Sequence, residues 1–465
     1  MPILVPRAVP MTTPQPVVHR LSNGLRVVLI ERHDLPVVTL YALFGAGAEA
    51  DPPALPGTAQ MVAGLLSEGT THRSAFAIAQ AMDQAGGTID TGAGWDESFV
   101  NVGVLSDHKV LAFDLLSDMV IHPAFAPDEI ERIREQTLSG LDVVMQDPSY
   151  IADMVLQRFL FAGTSYGHSE DGNRDAMSRV KRGDLVTFHD RNYIPSRMIL
   201  AVVGDISESD CWNLTTKFFG EWESREAAQP EPVTPASASR GKQIIVIDKP
   251  DAVQTEIRVG NLAVARSSPD YYALTVANQI LGGPAENRLF AALRTRGGLT
   301  YGASSNLELY LSAGAWVAKT STRSPQTIQA LKMVLDQIRQ MRGGRVQDEE
   351  IEASRNYLTG HQALEFESPA QVADKALELM LYGLPFDYWK QFPQKVGSID
   401  ADDVAAATRK YLDPDDAVIV LVGNASAFRK ELQKIGPARE IPIADLNTAF
   451  PENQQRTVAH STLGN

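Results

Sequence analysis

Cysteine is almost missing from this chain of 465 residues: Cys211 stands alone, beside Trp212 in a polar stretch. One thiol excludes an intrachain disulfide framework and a cysteine-based metal cage, and here it reads simply as a small side chain. Long apolar runs are missing too, and none approaches the ~20 residues that a membrane-crossing helix needs. The opening stretch MPILVPRAVPMTTPQP holds five prolines and no continuous apolar core of the signal-peptide kind. As written, the chain reads as soluble and cytoplasmic; a periplasmic location requires a signal removed beforehand. Positive charge is in deficit, with 42 Lys and Arg against 57 Asp and Glu and a formal net charge of −15. Nucleic acid and anionic membrane surfaces would repel such a chain, whereas basic or neutral polypeptides would not. Solubility is the simplest reason for the charge.

What is present is ordinary globular material, 44% hydrophobic and 21% charged, long enough for about two to four domains. It also repeats. Tyr193-Ile-Pro-Ser-Arg-Met-Ile-Leu-Ala-Val-Val-Gly204-Asp205 has a counterpart in Tyr411-Leu-Asp-Pro-Asp-Asp-Ala-Val-Ile-Val-Leu-Val-Gly423-Asn424. Both read as a helix end, a proline turn and an apolar strand closed by glycine. The two glycines stand 219 residues apart, and Asp128-Glu-Ile130 recurs as Glu349-Glu-Ile351 at an offset of 221. Two matched features at nearly one offset indicate a duplication. The expected division is an N-terminal half over 17–222, a linker over 223–242, a C-terminal half over 243–439 and a tail over 440–465. The linker ESREAAQPEPVTPASASRGK is rich in Pro, Ala, Ser and Glu and has no apolar periodicity.

Within the halves, Arg26–Glu31 and Val37–Phe44 predict strands from their β-branched residues. Ser74–Ala85, followed by Gly86-Gly87, predicts a helix with a left-handed stop. His108–Ile121, the stretch opened by Ser324-Pro325 and running through Met341, and Glu367–Tyr382 predict further helices. Strands and helices in this alternation imply an α+β fold with an antiparallel or mixed sheet.

The stretch from Phe44 to Thr70 includes Gly57-Thr-Ala-Gln-Met-Val-Ala-Gly-Leu-Leu-Ser-Glu-Gly69-Thr70. It resembles the inverzincin peptidases, the family of pitrilysin, insulysin and mitochondrial processing peptidase, which read G-x-A-H-x-x-E-H-x-x-F-x-G-T here. In that family two histidines and a distal glutamate hold zinc, and the glutamate between the histidines activates water. Gly57, Ala59, Gly69 and Thr70 keep the frame, but the first histidine falls on Gln60, the base on Ala63 and the second histidine on Gly64. The distal glutamate, 76 residues further in the family, falls on Gly140, and the family's helper glutamate falls on Ile133. Zinc needs three His, Cys or carboxylate ligands with a position left for water, and these residues supply none. Gly64 also costs ~1 kcal/mol relative to alanine inside a helix. His168-Ser-Glu170-Asp171 and His361-x-x-x-Glu365 come nearest to ligand spacing elsewhere, and such pairs are more often surface hydrogen bonds or ion pairs.

A second signature survives. Leu281-Gly-Gly-Pro-Ala-Glu-Asn-Arg-Leu-Phe290-Ala-Ala-Leu-Arg294-Thr-Arg-Gly-Gly-Leu-Thr-Tyr301 is similar to the family's second-half pattern, with Arg294 and Tyr301 seven residues apart. In active relatives this pair reaches across to the bound peptide. The guanidinium holds a main-chain carbonyl, and the phenol donates to the scissile carbonyl oxygen as charge develops. An arginine near a helix C-terminus also suits the helix dipole, so the longer matching frame carries the functional reading.

The resemblance covers about residues 17–439 and implies two homologous halves in a clamshell, each an α/β sandwich of two similar subdomains. It further implies a zinc-less subunit, with no cofactor of its own, that pairs with a similar chain carrying HxxEH and zinc. That pair would cleave unfolded or short polypeptides, with Arg294 and Tyr301 acting in trans. A scaffold subunit of a larger assembly and a peptide-binding homodimer are the alternatives.

Overall fold

The computed structural model describes residues 16–224, 241–284, 287–344 and 346–446. The expected linker therefore lies outside the described residues over 225–240, and the expected tail over 447–465. The first half is built on β1 (Val17–Arg20), β2 (Arg26–Glu31), β3 (Val37–Phe44), β4 (Thr88–Ala93), β5 (Ser98–Leu105) and β6 (Met198–Gly204). The second is built on β7 (Gln243–Asp248), β8 (Gln254–Leu262), β9 (Ala303–Leu309), β10 (Gly314–Arg323), β11 (Val418–Gly423) and β12 (Ala438–Pro442). The sheet orders are β1-β2-β6-β3-β5-β4 and β12-β7-β11-β8-β10-β9.

Five strands correspond one to one between the sheets. Each sheet has one parallel pair at the matching place, β2 with β6 and β7 with β11, and each is otherwise antiparallel across that five-strand core. The sixth strand breaks the symmetry. β1 precedes its sheet and pairs antiparallel with β2, whereas β12 follows its sheet and pairs parallel with β7. The α+β class and mixed sheets agree with the sequence reading. One detail is corrected: among the described residues each half holds a single six-stranded sheet rather than two similar subdomains. The repeat is one layer coarser, because one sheet with its helices already closes a core.

The two repeated strands, β6 and β11, are buried along their whole length in the middle of their sheets. Gly204 ends β6 with φ at 134°, and a Cβ there would sit 2.0 Å from the Val37 carbonyl oxygen, so only glycine lets the strand leave the sheet. Ser74 caps the helix Ala75–Ala85 by accepting from the Ala77 N–H at 3.2 Å.

One face of each sheet packs on helices of its own half, in two separate apolar cores. The opposite faces are covered by exchange. The helix Pro148–Leu160, from the first half, lays Ile151, Ala152, Val155 and Leu156 on Ile245, Val317, Val420 and Val422 of the second sheet. In return the helix Pro369–Leu381 lays Val372, Ala373, Ala376 and Leu377 on Val28, Ile199, Ala201 and Val203 of the first.

Hairpin tips meet where the halves join. Asp96, 2% exposed, lies in the β4–β5 turn and accepts from the Tyr166 hydroxyl at 2.6 Å, the Leu311 N–H at 2.7 Å and the Tyr382 hydroxyl at 3.3 Å. Around it stand carboxyl groups whose titration burial raises: Glu49 is pushed up to about 8, and Glu97 and Glu170 each to about 7. In the unfolded chain these groups titrate near 4.5. Between that value and 7–8 the native state binds more protons than the unfolded one, so stability falls as pH rises through this window. The thermal midpoint should therefore drop from pH 5 to pH 8. Glu49→Gln should raise it at pH 8 and change it little at pH 5. Scanning fluorimetry at both values checks this, and an equal effect of the substitution at the two would overturn it.

Candidate functional site

The helix Thr58–Leu65 carries the erased metal motif. Its N-terminus is held by Asp51, whose buried carboxylate accepts from the Gly57 N–H at 2.5 Å and the Ala59 N–H at 2.7 Å. Burial raises that carboxyl well above its usual range despite these two bonds. Ala59, Met61, Val62, Ala63 and Leu65 are buried, while Gln60 is exposed. The Gln60 side chain ties the helix to a neighbouring sheet edge, its amide oxygen accepting from the Ala93 N–H at the end of strand β4 at 2.8 Å.

Ala63 is fully buried and has no group to accept a proton. Gly64 lies on this helix and Gly140 on the helix Pro127–Val144, which packs against it. A side chain added at either would meet no heavy atom within 4 Å of its Cβ. The room for ligands is present and the ligands are not. No cluster of three or more His, Cys, Asp or Glu that could hold a metal occurs among the described residues. His168 is half-buried with its ring nitrogens at 2.9 Å from the Ser169 carbonyl and 3.0 Å from that of Ala48, and desolvation lowers its pKa. His361 stacks on Tyr357, and Glu365 pairs with Lys375 at 2.9 Å. The zinc expected of this architecture therefore does not fit the residues here. Protein dialysed against a mild chelator should retain far less than one zinc per chain, as elemental analysis would measure. Stoichiometric zinc would refute this.

Arg294 and Tyr301 are brought together in the second half. Asn287 opens a short helix by accepting from the Phe290 N–H at 2.8 Å. The helix widens into a π-helical turn over Ala291–Arg296, a geometry often found at functional sites. Gly298, at φ 60°, then turns the chain towards β9. The Arg294 guanidinium sits 4.9 Å from the Phe290 ring and donates from Nη1 to the Tyr301 carbonyl oxygen at 3.1 Å.

The loop's base is braced. Leu293 accepts from the Leu299 N–H at 2.9 Å, Thr322 donates to the Leu299 carbonyl at 2.7 Å, and Thr320 to the Gly302 carbonyl at 2.9 Å. Above that base the Tyr301 side chain is 87% exposed, and its phenol has no partner among the described residues. A rigid loop thus presents a phenol and a nearby guanidinium outwards. Sequence reading found this pair from its frame. It missed the carbonyl clamp, because no motif encodes a side chain bonding to a main-chain oxygen seven residues on.

A duplicated α/β chain in which the metal-bearing helix survives without ligands defines a non-catalytic relative of a metallopeptidase. The chain belongs to peptidase family M16: the family described as Insulinase (Peptidase family M16) matches residues 26–170, and the Peptidase M16 inactive domain matches residues 179–358. It is similar to an uncharacterized zinc protease of Mycobacterium bovis, 31% identical over 63% of this chain and 67% of that one. A non-peptidase homolog, YmxG, of Helicobacter pylori is 21% identical over 87% of this chain and 94% of its own length. The crystal structure of a peptidase M16 inactive domain from Pseudomonas fluorescens superimposes with a TM-score of 0.82 at 27% identity, covering 88% of this chain and 98% of that one. No helix among the described residues is long and apolar enough to cross a membrane.

Proposed function

We propose that this chain is the zinc-less subunit of a heterodimeric zinc endopeptidase and supplies Arg294 and Tyr301 to peptide held by an HxxEH partner. The observation that carries the reading is the outward phenol of Tyr301 on a braced loop, in a chain whose own metal helix offers no ligand. An exposed tyrosine with a fixed backbone serves a group that arrives from outside. In this reading zinc and the general base belong to the partner. When water adds to the scissile carbonyl carbon, negative charge gathers on the carbonyl oxygen, and the Tyr301 hydroxyl donates a hydrogen bond to it. Arg294 holds a neighbouring main-chain carbonyl, so the peptide enters in one register. Substrates are unfolded or short polypeptides, because only an extended chain can offer its main chain along a sheet edge. Among the described residues, both β4 and β9 end their sheets with one side unpaired by another strand.

Mixed with an HxxEH chain of similar size from the same genome, this protein should form a 1:1 complex by light scattering and gain peptide hydrolysis that neither chain shows alone. Failure to associate, or hydrolysis by the partner undiminished in its absence, would overturn the reading. A complex that forms without activity would mark a scaffold.

A further inference from the structure

The strand β4 is the last of its sheet, and the hairpin it forms with β5 decides which main-chain groups face outwards. Across the turn the Gly94 N–H donates to the Glu97 carbonyl at 2.8 Å. Bonded and non-bonded pairs alternate along an antiparallel ladder, so Ala93–Ser98, Thr91–Val100 and Ile89–Val102 are the non-bonded ones. The N–H and carbonyl groups of Ile89, Thr91 and Ala93 therefore point away from β5, to the free edge. Such a row is a template for any extended chain. Among the described residues it receives a single bond: the Gln60 amide oxygen accepts from the Ala93 N–H at 2.8 Å.

Holding the helix in place does not require that bond. The helix Thr58–Leu65 already rests on a buried face of Ala59, Met61, Val62, Ala63 and Leu65, whereas Gln60 is exposed. The second half fastens its own helix by other means. Asn278, on the helix Tyr271–Gly282, follows Gln60 by 218 residues, close to the offset of the duplication. Its amide oxygen accepts from the Ser305 hydroxyl at 2.7 Å and from the Trp316 Nε1–H at 3.1 Å. Both donors are side chains, and no main-chain donor of β9 is taken. Only in the first half does the amide occupy the edge itself. It does so one helical turn from Ala63, where a peptide paired through Ala93 would lie beside a helix with neither metal ligand nor base.

We propose that Gln60 is a stopper: its amide takes the end donor of the β4 edge and keeps extended peptide from adding to the half that has nothing to cut it with. A peptide carbonyl must displace the amide oxygen before it can pair there, so peptide is left to the partner's edge. That last consequence rests on the peptidase reading; the closed edge does not. Fluorescence anisotropy on the purified chain, without partner, uses a labelled uncharged dodecapeptide of alternating serine and valine, and the same peptide with its central amide nitrogens methylated. Gln60→Ala should bind the unmodified peptide about three- to tenfold more tightly than wild type, the net worth of one neutral hydrogen bond. Gln60→Glu, whose carboxylate still accepts from the Ala93 N–H, should bind no more tightly than wild type. The methylated peptide, which cannot join a ladder, should not distinguish the three chains. Deuterium exchange over residues 88–93 should slow when peptide is added to Gln60→Ala, and less so for wild type. Equal affinities of wild type and Gln60→Ala, a gain shared by Gln60→Glu or by the methylated peptide, protection that spares 88–93, or no binding at all would overturn the proposal. A gain in Gln60→Ala without hydrolysis beside any HxxEH chain keeps the stopper and loses the peptidase reading. An active pair without that gain does the reverse.

Discussion

A complex carrying Tyr301→Phe should turn over about 10²–10³ times more slowly than wild type, the usual cost of removing one donor to a developing oxyanion. The substitution deletes a hydroxyl that bonds to nothing in the described structure, so folding and pairing should be untouched. KM should move little, because the bond strengthens as charge gathers on the carbonyl oxygen and not before. Arg294→Ala should behave differently. It removes a grip on ground-state main chain, and it also releases the Tyr301 carbonyl that the guanidinium holds at 3.1 Å. KM should rise, and kcat should fall as well if the freed loop lets the phenol wander. Steady-state kinetics on purified complexes separates the two. Wild-type rates from Tyr301→Phe, with the complex confirmed intact, would leave this chain no part in the chemistry.

The second large effect is expected at the seam between the halves. Asp96→Ala strips the acceptor from two tyrosine hydroxyls and one backbone N–H, and should lower stability by about 2–4 kcal/mol. Asp96→Asn keeps one acceptor oxygen and should cost less than half of that. Tyr382→Phe removes only the long 3.3 Å bond and should cost under ~1 kcal/mol. Urea unfolding monitored by tryptophan fluorescence orders the three. Because Trp95 is next to Asp96 and lies 5.8 Å from the Tyr310 ring across the seam, its emission should report the loosening directly. If Asp96→Ala unfolds at the wild-type urea concentration, the hairpin contact is incidental.

Much of the architecture was legible in the sequence because local rules and tertiary needs coincide there. Arg26–Glu31 and Val37–Phe44 emerge as strands with the bounds their β-branched residues predict, since each lies in a sheet interior where such residues pack. The offset between Gly204 and Gly423 exposed the duplication, because a strand leaving the middle of a sheet needs a residue without a side chain at that point. Helix starts were displaced by one residue, from His108 to Lys109, and by three, from Ser324 to Thr327, where tight 3-10 turns precede the α-helices. The exchange of helices was not legible. Ile151, Val155 and Val372, Leu377 mark apolar faces, but an apolar face does not say which sheet it will cover. Asp96 reads in sequence as an ordinary turn residue, and only the fold brings it the Leu311 N–H from a hairpin 215 positions on together with the hydroxyls of Tyr166 and Tyr382. At the candidate site, what is absent could be read residue by residue from Gln60, Ala63, Gly64 and Gly140, whereas the bond Gln60 makes to β4 could not.

The exchanged helices also bear on how the chain is made. Its first sheet is covalently complete once β6 and the helix Glu208–Phe219 have been synthesised. Its outer face of Val28, Ile199, Ala201 and Val203 nevertheless stays open until the helix Pro369–Leu381 emerges. At about 5–20 residues per second, that delay lasts roughly 10–30 s. During it a nascent chain displays a continuous apolar sheet surface on the ribosome. Two polysome neighbours could cover each other's sheets in the interval, so recombinant yield should depend on holding chaperones and on slow translation more than the stability of the finished protein would suggest.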